Sequence, residues 1–215
     1  MADDASGSSR PGVDEGRAAR VDELWLIRHG ATEWSIARRH TGRTDIDLVD
    51  EGARQARRLG ERLREERFDA VFSSPLIRAR RTARLAGFTD AEVDRGLLEW
   101  DYGDYEGLTG DDIRAGRPGW DLWTDGCPGG ESPQQVFTRA DAFLERADRL
   151  GGRVLVFGHG HMCRATAARY VHLPPRALGK IEAGSICVVG LEAGSPAVAR
   201  WNLDCHPDAD GSPTP

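Results

Sequence analysis

The sequence predicts an α/β protein, specifically a three-layer α/β/α sandwich around a mostly parallel central sheet. Short, largely apolar runs recur at residues 24–27, 69–72 and 153–157, and such runs are typical of strands that are buried on both faces. Each run is followed by a segment whose apolar residues have helical spacing. This alternation favours parallel strands connected by helices that cover both faces of the sheet.

The first half of the chain supplies two strand–helix pairs. The first strand is predicted at 24–27, and Asp50 can cap the helix that follows it. The second strand is predicted at 69–72. Ser74 is expected to cap the next helix, with Pro75 at its first position, where a missing N–H group costs nothing.

The second half begins with a loop-rich stretch at about 96–131, which we expect to form a cap over the sheet. Ser132 opens a capping box with Pro133 at the first helical position, which predicts a helix to about residue 150. The remaining predicted elements are a strand at 153–157, a helix at about 162–171, and two strands near 186–191 and 198–203.

Composition predicts one soluble domain at residues 21–203, with disordered tails at 1–20 and 204–215. No apolar run approaches the roughly 20 residues that cross a bilayer, and no signal peptide is apparent, so a cytoplasmic location is expected. The net charge is −6, too little basic character for nucleic acid or a membrane surface to be the expected partner. The four cysteines form no C-x-x-C pair, as in a reduced cytosolic protein.

Polar residues follow three of the predicted strands, at 28–30, 73–75 and 158–160. In open α/β sheets, the ligand site lies beyond the carboxyl ends of the strands. These three segments are therefore expected to meet at one edge of the sheet and to form the functional site.

Two histidines and two arginines in or near these segments suggest phosphoryl chemistry. A neutral His29 could attack phosphorus through a ring nitrogen, and the adjacent Arg28 disfavours its cationic form; the alternative is a structural histidine held in a turn. Arg78, near the start of a helix, and His159 could bind phosphoryl oxygens. The pair His159 and His161 also suggests a metal, but no cysteine or carboxylate accompanies it at ligand spacing.

A candidate proton donor lies within residues 99–106, where four carboxylates are interspersed with aromatic residues. A carboxyl group beside apolar rings can protonate a leaving alkoxide. Spacing alone leaves open which of the four acts.

Together, these segments resemble the motifs of the histidine phosphatase superfamily, in its phosphoglycerate-mutase-like branch. Residues 28–34 resemble the signature R-H-G-x-T-x-W, and residues 73–83 resemble S-S-x-L-x-R-A-x-x-T-A. Residues 97–107 and 158–160 resemble L-x-E-x-x-x-G-x-x-E-G and S-H-G, in the family's order. The resemblance covers nearly all of residues 21–203 and implies a phosphoglycerate-mutase-like fold.

The resemblance implies a role for each matching residue. His29 would be the nucleophile that becomes phosphohistidine, Glu99 the proton donor and later the base, and no metal or other cofactor would be needed. Arg28, Arg78 and His159 would bind the phosphoryl group. The substrate contacts implied less firmly are Ser35, Thr41, Gly42, Tyr102 and Gly160. The chain departs from the family at Ser35, usually Asn, and at Gly158, often Ser.

The short stretch at 107–130 favours hydrolysis, because it holds only Arg114 and Arg117 as basic residues, whereas the mutases carry a longer basic insertion there. Residues 120–132 resemble a subgroup that contains broad-specificity actinobacterial acid phosphatases and a fungal sedoheptulose-bisphosphatase. We therefore expect a metal-independent phosphomonoesterase that acts on small phosphate esters such as sugar phosphates. Two alternative functions stay open, namely a cofactor-dependent phosphoglycerate mutase and a non-catalytic interaction protein on the same fold. For the assembly of the chain, a homodimer stays open.

Overall fold

The computed structural model describes residues 21–203, so the two predicted tails lie outside the described residues. The strands are β1 (Val21–Arg28), β2 (Ala70–Ser73), β3 (Glu92–Val93), β4 (Gly152–Gly158), β5 (Ile186–Glu192) and β6 (Ser195–Leu203). The helices are α1 (Glu33–Ile36), α2 (Asp50–Leu63), α3 (Ile77–Leu85), α4 (Gly110–Gly116), α5 (Leu122–Asp125), α6 (Pro133–Leu150) and α7 (Gly160–Tyr170). Short 3-10 turns lie at Arg95–Leu97, Gly103–Tyr105 and Pro175–Ala177.

The sheet has the strand order β3-β2-β4-β1-β5-β6. The first four strands of that order are parallel, and β5 and β6 are antiparallel to their neighbours. The predicted mostly parallel sheet is therefore confirmed. Arg28 in β1 is opposite Gly158 in β4, and Ser73 in β2 is opposite Phe157, so the carboxyl ends of these three strands meet at one edge.

Two apolar cores confirm the predicted three layers. Alternate residues of β1 point to opposite faces, as the period of a strand requires. Leu24 and Leu26 belong to a core that includes residues of α6 and α7. Trp25 and Ile27 belong to the other core, which includes residues of α2 and α3. The β4 strand contributes to both cores in the same alternating way, which explains its unbroken apolar sequence.

The cap, residues 96–131, has an aromatic core of its own. Trp100, Tyr102 and Trp120 are buried there with Val136 of α6 and Met162 of α7. Two short helices, α4 and α5, lie in this stretch, which the sequence predicts only as loop-rich. The cap is therefore packed against the domain by side chains, although most of its backbone is irregular.

The predicted start of α3 is wrong. The helix begins at Ile77, its N-cap is Leu76 in an extended conformation, and Ser74 makes no cap for it. The N–H group of Ile77 instead donates to Asp45 Oδ1 at 2.7 Å. Asp50 likewise begins α2 without capping it, since the N-cap position is Val49.

The capping box predicted for α6 is confirmed. Ser132 Oγ accepts from the backbone N–H of Gln135 at 3.3 Å, and Gln135 Oε1 accepts from the N–H of Ser132 at 2.8 Å. The short strand β3 and the one-turn helix α1 are not predicted by the sequence, because neither has enough residues to show a period. No helix within residues 21–203 combines the length and the apolar character that crossing a membrane requires.

Candidate active site

His29 follows β1 directly and is only 4% exposed. Its Nδ1 lies 2.8 Å from the carbonyl oxygen of Gly30. Because a carbonyl oxygen only accepts hydrogen bonds, Nδ1 carries the ring proton and Nε2 carries the lone pair. The pKa of His29 is held well below its usual 6.5, first by burial and then by the charges of Arg78 and Arg28. The ring is therefore a neutral imidazole with a free lone pair on Nε2.

Arg78 is fully buried in the first turn of α3. Its terminal nitrogens donate to the carbonyl oxygens of Thr41, Gly42 and Thr44 at 3.0, 3.0 and 2.9 Å. These three bonds fix the planar guanidinium in one orientation. Its Nε is buried and has no hydrogen-bond partner among the described residues, so one donor of a fixed cation stays available.

Arg28 ends β1 beside His29, and its Nη1 donates to the carbonyl oxygen of Ile181 at 2.6 Å. Its buried Nε also lacks a partner among the described residues. A Cβ built on Gly160 would lie 3.5 Å from that Nε. That spacing is an ordinary van der Waals contact, so position 160 lies directly beside the Arg28 donor.

His159 follows β4, with its ring centroid 5.3 Å from that of His29. Its Nε2 is 2.7 Å from Ser74 Oγ, and its buried Nδ1 has no partner among the described residues. The pKa of His159 is also held well below 6.5, first by burial and then by Arg78, His29 and Arg28. We assign the Ser74 hydroxyl as the donor to Nε2, which places the ring proton of His159 on Nδ1. Three buried donors near His29 then lack an acceptor among the described residues, namely Arg28 Nε, Arg78 Nε and His159 Nδ1.

Glu99 is buried and anchors the cap to the N-terminus of α7. Its Oε1 accepts from the backbone N–H groups of Trp100 and Met162, both at 2.9 Å, and its Oε2 accepts from that of His161 at 3.0 Å. The orphan N–H groups of a helix N-terminus suit a carboxylate. Oε2, with a single donor, has more lone-pair capacity left than Oε1.

The other three carboxylates of residues 99–106 have different positions. Asp101 accepts from the N–H of Gly103 and pairs with Arg43, and Asp104 is exposed. Glu106 accepts from the N–H groups of Gly42 and Thr44. Glu99 is thus the one member of the set that is both buried and bound to the helix that begins beside His159.

Two of the predicted substrate contacts hold the site together in this structure. Thr41 and Gly42 orient Arg78 through their carbonyl oxygens, and Glu106 accepts the N–H of Gly42. The Ser35 hydroxyl donates to the carbonyl of Thr32 and accepts from its N–H, as part of the capping box of α1. Direct contact of these residues with substrate stays a prediction.

Tyr102 belongs to a ring cluster that the sequence does not reveal. Its hydroxyl lies 2.6 Å from His161 Nδ1. Burial first, then Glu99, raises the pKa of Tyr102 well above its usual 10, and burial lowers that of His161 well below 6.5. Both groups are neutral, so we assign the phenol O–H as the donor and place the proton of His161 on Nε2. His40 packs edge-on against Tyr102, with ring centroids 4.8 Å apart.

The two tryptophans of the cap have distinct surroundings. Trp120 is buried, and its Nε1 donates to the carbonyl of Gly126 at 2.9 Å. Trp123 is half-buried, lies 5.6 Å from the ring of His161, and has the guanidinium of Arg164 over its face. Both rings therefore contact the ring cluster, Trp120 through His40 at 5.7 Å and Trp123 through His161, but only Trp120 is fully packed in the cap.

The departure at Gly158 has a local explanation. A Cβ built on Gly158 would lie 2.8 Å from Cys163 Sγ. The thiol fills the space that a serine side chain would need. Burial raises the pKa of Cys163 well above its usual range, so this thiol is a packing group. Among residues 21–203, no cluster of three or more His, Cys, Asp or Glu side chains is arranged to hold a metal ion.

The fold and these buried donors define a class, namely an α/β protein whose sheet edge holds a neutral histidine among cationic anion-binding groups. Comparison with known families gives the narrower assignment. The histidine phosphatase superfamily (branch 1) matches residues 24–204. The chain belongs to this superfamily, and the predicted resemblance and fold are confirmed.

Relatives with known names include phosphatases and mutases. An acid phosphatase of Mycobacterium tuberculosis is 44% identical over 87% of this chain and 96% of its own length. The sedoheptulose 1,7-bisphosphatase of Saccharomyces cerevisiae is 35% identical over 66% of this chain and 65% of its own length. A 2,3-bisphosphoglycerate-dependent phosphoglycerate mutase of Azorhizobium caulinodans is 34% identical over 84% and 93%.

A solved structure agrees with these sequence matches. The structure of an open reading frame from Mycobacterium tuberculosis superposes with a TM-score of 0.81 at 43% identity, covering 87% of this chain and 100% of the other. The prediction of an enzyme of the histidine phosphatase type is confirmed by the family and by these relatives.

Proposed function

We propose that this chain is a metal-independent phosphomonoesterase that hydrolyses small phosphorylated metabolites, such as sugar phosphates, through a phosphohistidine on His29. The observation that supports it most directly is the set of three buried, unpartnered nitrogens around the neutral His29. Buried polar groups rarely lack partners, and a tetrahedral phosphoryl group supplies three oxygens as acceptors.

In the first step, His29 Nε2 attacks phosphorus and the bond from phosphorus to the ester oxygen breaks. The hydrogen bond from Nδ1 to Gly30 holds the ring in the reactive tautomer. Arg28, Arg78 and His159 donate to the equatorial oxygens, where negative charge increases in the transition state. The carboxylic acid form of Glu99 gives its proton to the leaving alkoxide.

In the second step, water attacks the phosphorus of phosphohistidine. Glu99, now a carboxylate, takes the proton from that water, and the bond between phosphorus and Nε2 breaks. Orthophosphate leaves, and His29 returns to its neutral form. Glu99 Oε2, which accepts one hydrogen bond where Oε1 accepts two, is the oxygen best placed to exchange the proton.

Hydrolysis is favoured over mutase activity by the basic residues of the cap. Arg114 pairs with Asp111 at 2.7 Å, and Arg117 pairs with Asp125 at 3.2 Å. Both positive charges of residues 107–130 are thus paired with nearby carboxylates and do not converge on a site for a second phosphoryl group. A cap without such a second anion site would let water complete the cycle.

A phosphoglycerate mutase is the second candidate, because mutases are among the relatives. The two activities differ in product. With 3-phosphoglycerate and added 2,3-bisphosphoglycerate, a mutase transfers phosphate between positions with little net orthophosphate release, whereas the proposed phosphatase releases orthophosphate without stimulation. A non-catalytic protein would do neither and would form no labelled phosphoenzyme.

The deciding experiment measures orthophosphate release from a panel of small phosphate esters in the presence of a chelator. The wild-type protein is expected to hydrolyse several of them, and His29→Ala to lose release by about 10³-fold or more. His172→Asn is the matched control, because His172 is exposed and has a positive φ of 56° that asparagine tolerates. Activity that survives in His29→Ala would overturn the mechanism.

We infer the cellular setting from the same chemistry. The ligand is a small phosphate ester rather than nucleic acid or a membrane surface, since the net charge of −6 offers no broad basic face. The cytoplasm, where such metabolites are abundant, is the proposed location.

A further inference from the structure

The ring cluster of His40, Tyr102 and His161 lies beside the proposed proton donor and has no part in the mechanism above. The backbone N–H of His161 donates to Glu99 Oε2 at 3.0 Å. In the proposed mechanism Glu99 protonates the leaving oxygen, so the carbon atoms bonded to that oxygen would lie near the cluster. The side chains of His40 and His161 are half-buried, which leaves both within reach of a ligand.

His40 has a defined tautomer. Its Nδ1 lies 2.9 Å from the carbonyl oxygen of Leu108, which only accepts hydrogen bonds, so Nδ1 carries the ring proton. Burial lowers the pKa of His40 below its usual 6.5, while the hydrogen bond to Leu108 and the charge of Glu99 oppose that shift. The ring is therefore neutral at pH 7, with a lone pair on Nε2. That Nε2 makes no hydrogen bond with any residue that the structure describes.

His161 presents the opposite group. With the Tyr102 hydroxyl donating to Nδ1 at 2.6 Å, the ring proton of His161 is on Nε2. The two nitrogens of an imidazole point in separate directions, so this N–H is directed away from the Tyr102 hydroxyl. Within residues 21–203 it has no acceptor. One histidine of the cluster thus offers a free acceptor and the other a free donor.

The two imidazole rings have a spacing that a small polar group can bridge. They are nearly parallel, at an angle of 3°, and their centroids lie 6.3 Å apart. Both pack edge-on against Tyr102, at centroid distances of 4.8 and 5.9 Å. A hydrogen bond spans about 2.8 Å between heavy atoms. One hydroxyl group, or two on neighbouring carbons, therefore has the size to bind both rings.

We propose that His40 and His161 form a hydroxyl-binding pair for the part of the substrate next to its scissile phosphoryl group. His40 Nε2 accepts a hydrogen bond from a substrate hydroxyl, and His161 Nε2 donates one to the same hydroxyl or to its neighbour. A hydroxyl group satisfies both rings because it donates and accepts. A carboxylate only accepts, so it would set an oxygen against the lone pair of His40.

This inference rests on the proposed phosphatase function and narrows its substrates to polyol and sugar phosphates. The test compares phosphate esters of three-carbon alcohols on the full-length protein. Glycerol 3-phosphate carries two hydroxyl groups, propyl phosphate carries none, and 3-phosphoglycerate has a carboxylate in place of the terminal CH₂OH group. Orthophosphate release gives kcat/KM for each ester at pH 7.5. The wild type is expected to prefer glycerol 3-phosphate over both other esters by about tenfold, the effect of one to two hydrogen bonds.

Two variants separate hydroxyl binding from the intrinsic reactivity of the esters. His40→Phe keeps a ring in the cluster and removes the Nε2 lone pair, and the Leu108 carbonyl still accepts from the backbone N–H of residue 40. We expect the ratio of kcat/KM for glycerol 3-phosphate to that for propyl phosphate to fall about three- to tenfold. His161→Asn, whose shorter side chain withdraws the donor, is expected to lower the ratio similarly. His172→Asn, at an exposed position, is the control and should leave it unchanged.

An unchanged ratio in either cluster variant overturns the hydroxyl-binding pair. An equal loss for all three esters also overturns it, because the rings would then only pack the cap. A wild-type preference for 3-phosphoglycerate that disappears in His40→Phe would show that the cluster binds an anion, which contradicts the proposal. In each of these cases, hydrolysis of propyl phosphate that requires His29 leaves the proposed function intact. Absence of hydrolysis for every ester overturns the proposed function and the pair with it.

Discussion

At the sheet edge, the buried guanidinium of Arg78 donates to three backbone carbonyl oxygens, whereas in the cap the half-buried ring of Trp123 packs against other side chains. The backbone partners of Arg28 and Arg78 are fixed by the fold, and they orient both guanidinium groups before any ligand binds. Ring contacts in the cap have broad geometry. In the proposed mechanism, the edge would provide the phosphoryl chemistry, and the cap would contact the rest of the substrate.

Glu99 links the two regions. It belongs to the cap by sequence, but its carboxylate accepts the first N–H groups of α7, which starts beside His159. The proposed proton donor is thus positioned by the edge, although it is carried by the cap. Changes elsewhere in the cap should therefore alter substrate preference more than they alter the chemical step.

Of the substitutions that compare the edge with the cap, replacing Arg78 at the sheet edge should cause the largest loss of kcat/KM. Arg78→Lys keeps the charge but loses the planar fork, and it leaves up to three carbonyl oxygens without a donor. We expect kcat/KM to fall by about 10²–10³-fold for every substrate tested, because a fixed transition-state donor is lost. Arg80→Lys, an exposed position on the same helix, is the control.

Steady-state kinetics over the ester panel, with a thermal unfolding curve for each variant, measures this prediction. A uniform loss in a folded Arg78→Lys protein supports the division between edge and cap. A loss below tenfold for every substrate would mean that Arg78 is not an important transition-state donor. A loss that differs strongly between substrates would mean that Arg78 contacts their variable part rather than the phosphoryl group.

The sequence predicts the edge better than the cap, for a physical reason. Arg28, His29 and His159 lie at the carboxyl ends of buried parallel strands, and strand ends of one direction must meet at one edge. The orientation of Arg78 depends on carbonyl oxygens at 41–44, more than 30 residues earlier, so no local pattern reveals it.

Long-range contacts also explain where the sequence prediction is wrong or incomplete. The helix α3 starts late because Asp45 supplies its cap and Ser74 bonds to His159. From the sequence, Glu99 is one of four candidate proton donors. Only its contacts with the N-terminus of α7 in the structure single it out. The cluster of Tyr102 and His161 joins residues 59 apart in sequence and has no sequence signal.

The pH dependence of the free energy of unfolding depends on buried histidines in both regions. His29 and His159 at the edge and His161 beside the cap all have folded-state pKa values well below the usual 6.5, with burial as the main cause. The unfolded chain therefore binds protons below about pH 6.5 that the folded chain does not bind. Stability is full above that pH and falls as the pH decreases, by about 1.4 kcal/mol per pH unit for each such histidine.

Urea unfolding at pH 7.5, 6.5 and 5.5 measures this effect. His161→Asn should reduce the pH dependence by up to one histidine's share, while His172→Asn, at an exposed position, serves as the reference. An unchanged slope in His161→Asn would show that His161 binds its proton in the folded protein, and the neutral assignment for the cap cluster would then be wrong.

The smallest expected effect is at Tyr102. Tyr102→Phe keeps the ring contacts with His40 and removes only the 2.6 Å hydrogen bond to His161. One such bond contributes about 1 kcal/mol, so we expect a loss of about three- to tenfold in kcat/KM, unequal between substrates because the cap contacts their variable part. Tyr105→Phe, whose ring packs on Trp120, is the matched control. A uniform loss near 10²-fold in Tyr102→Phe would place this hydroxyl with the edge residues in the chemical step, and the separation between the two regions would not hold.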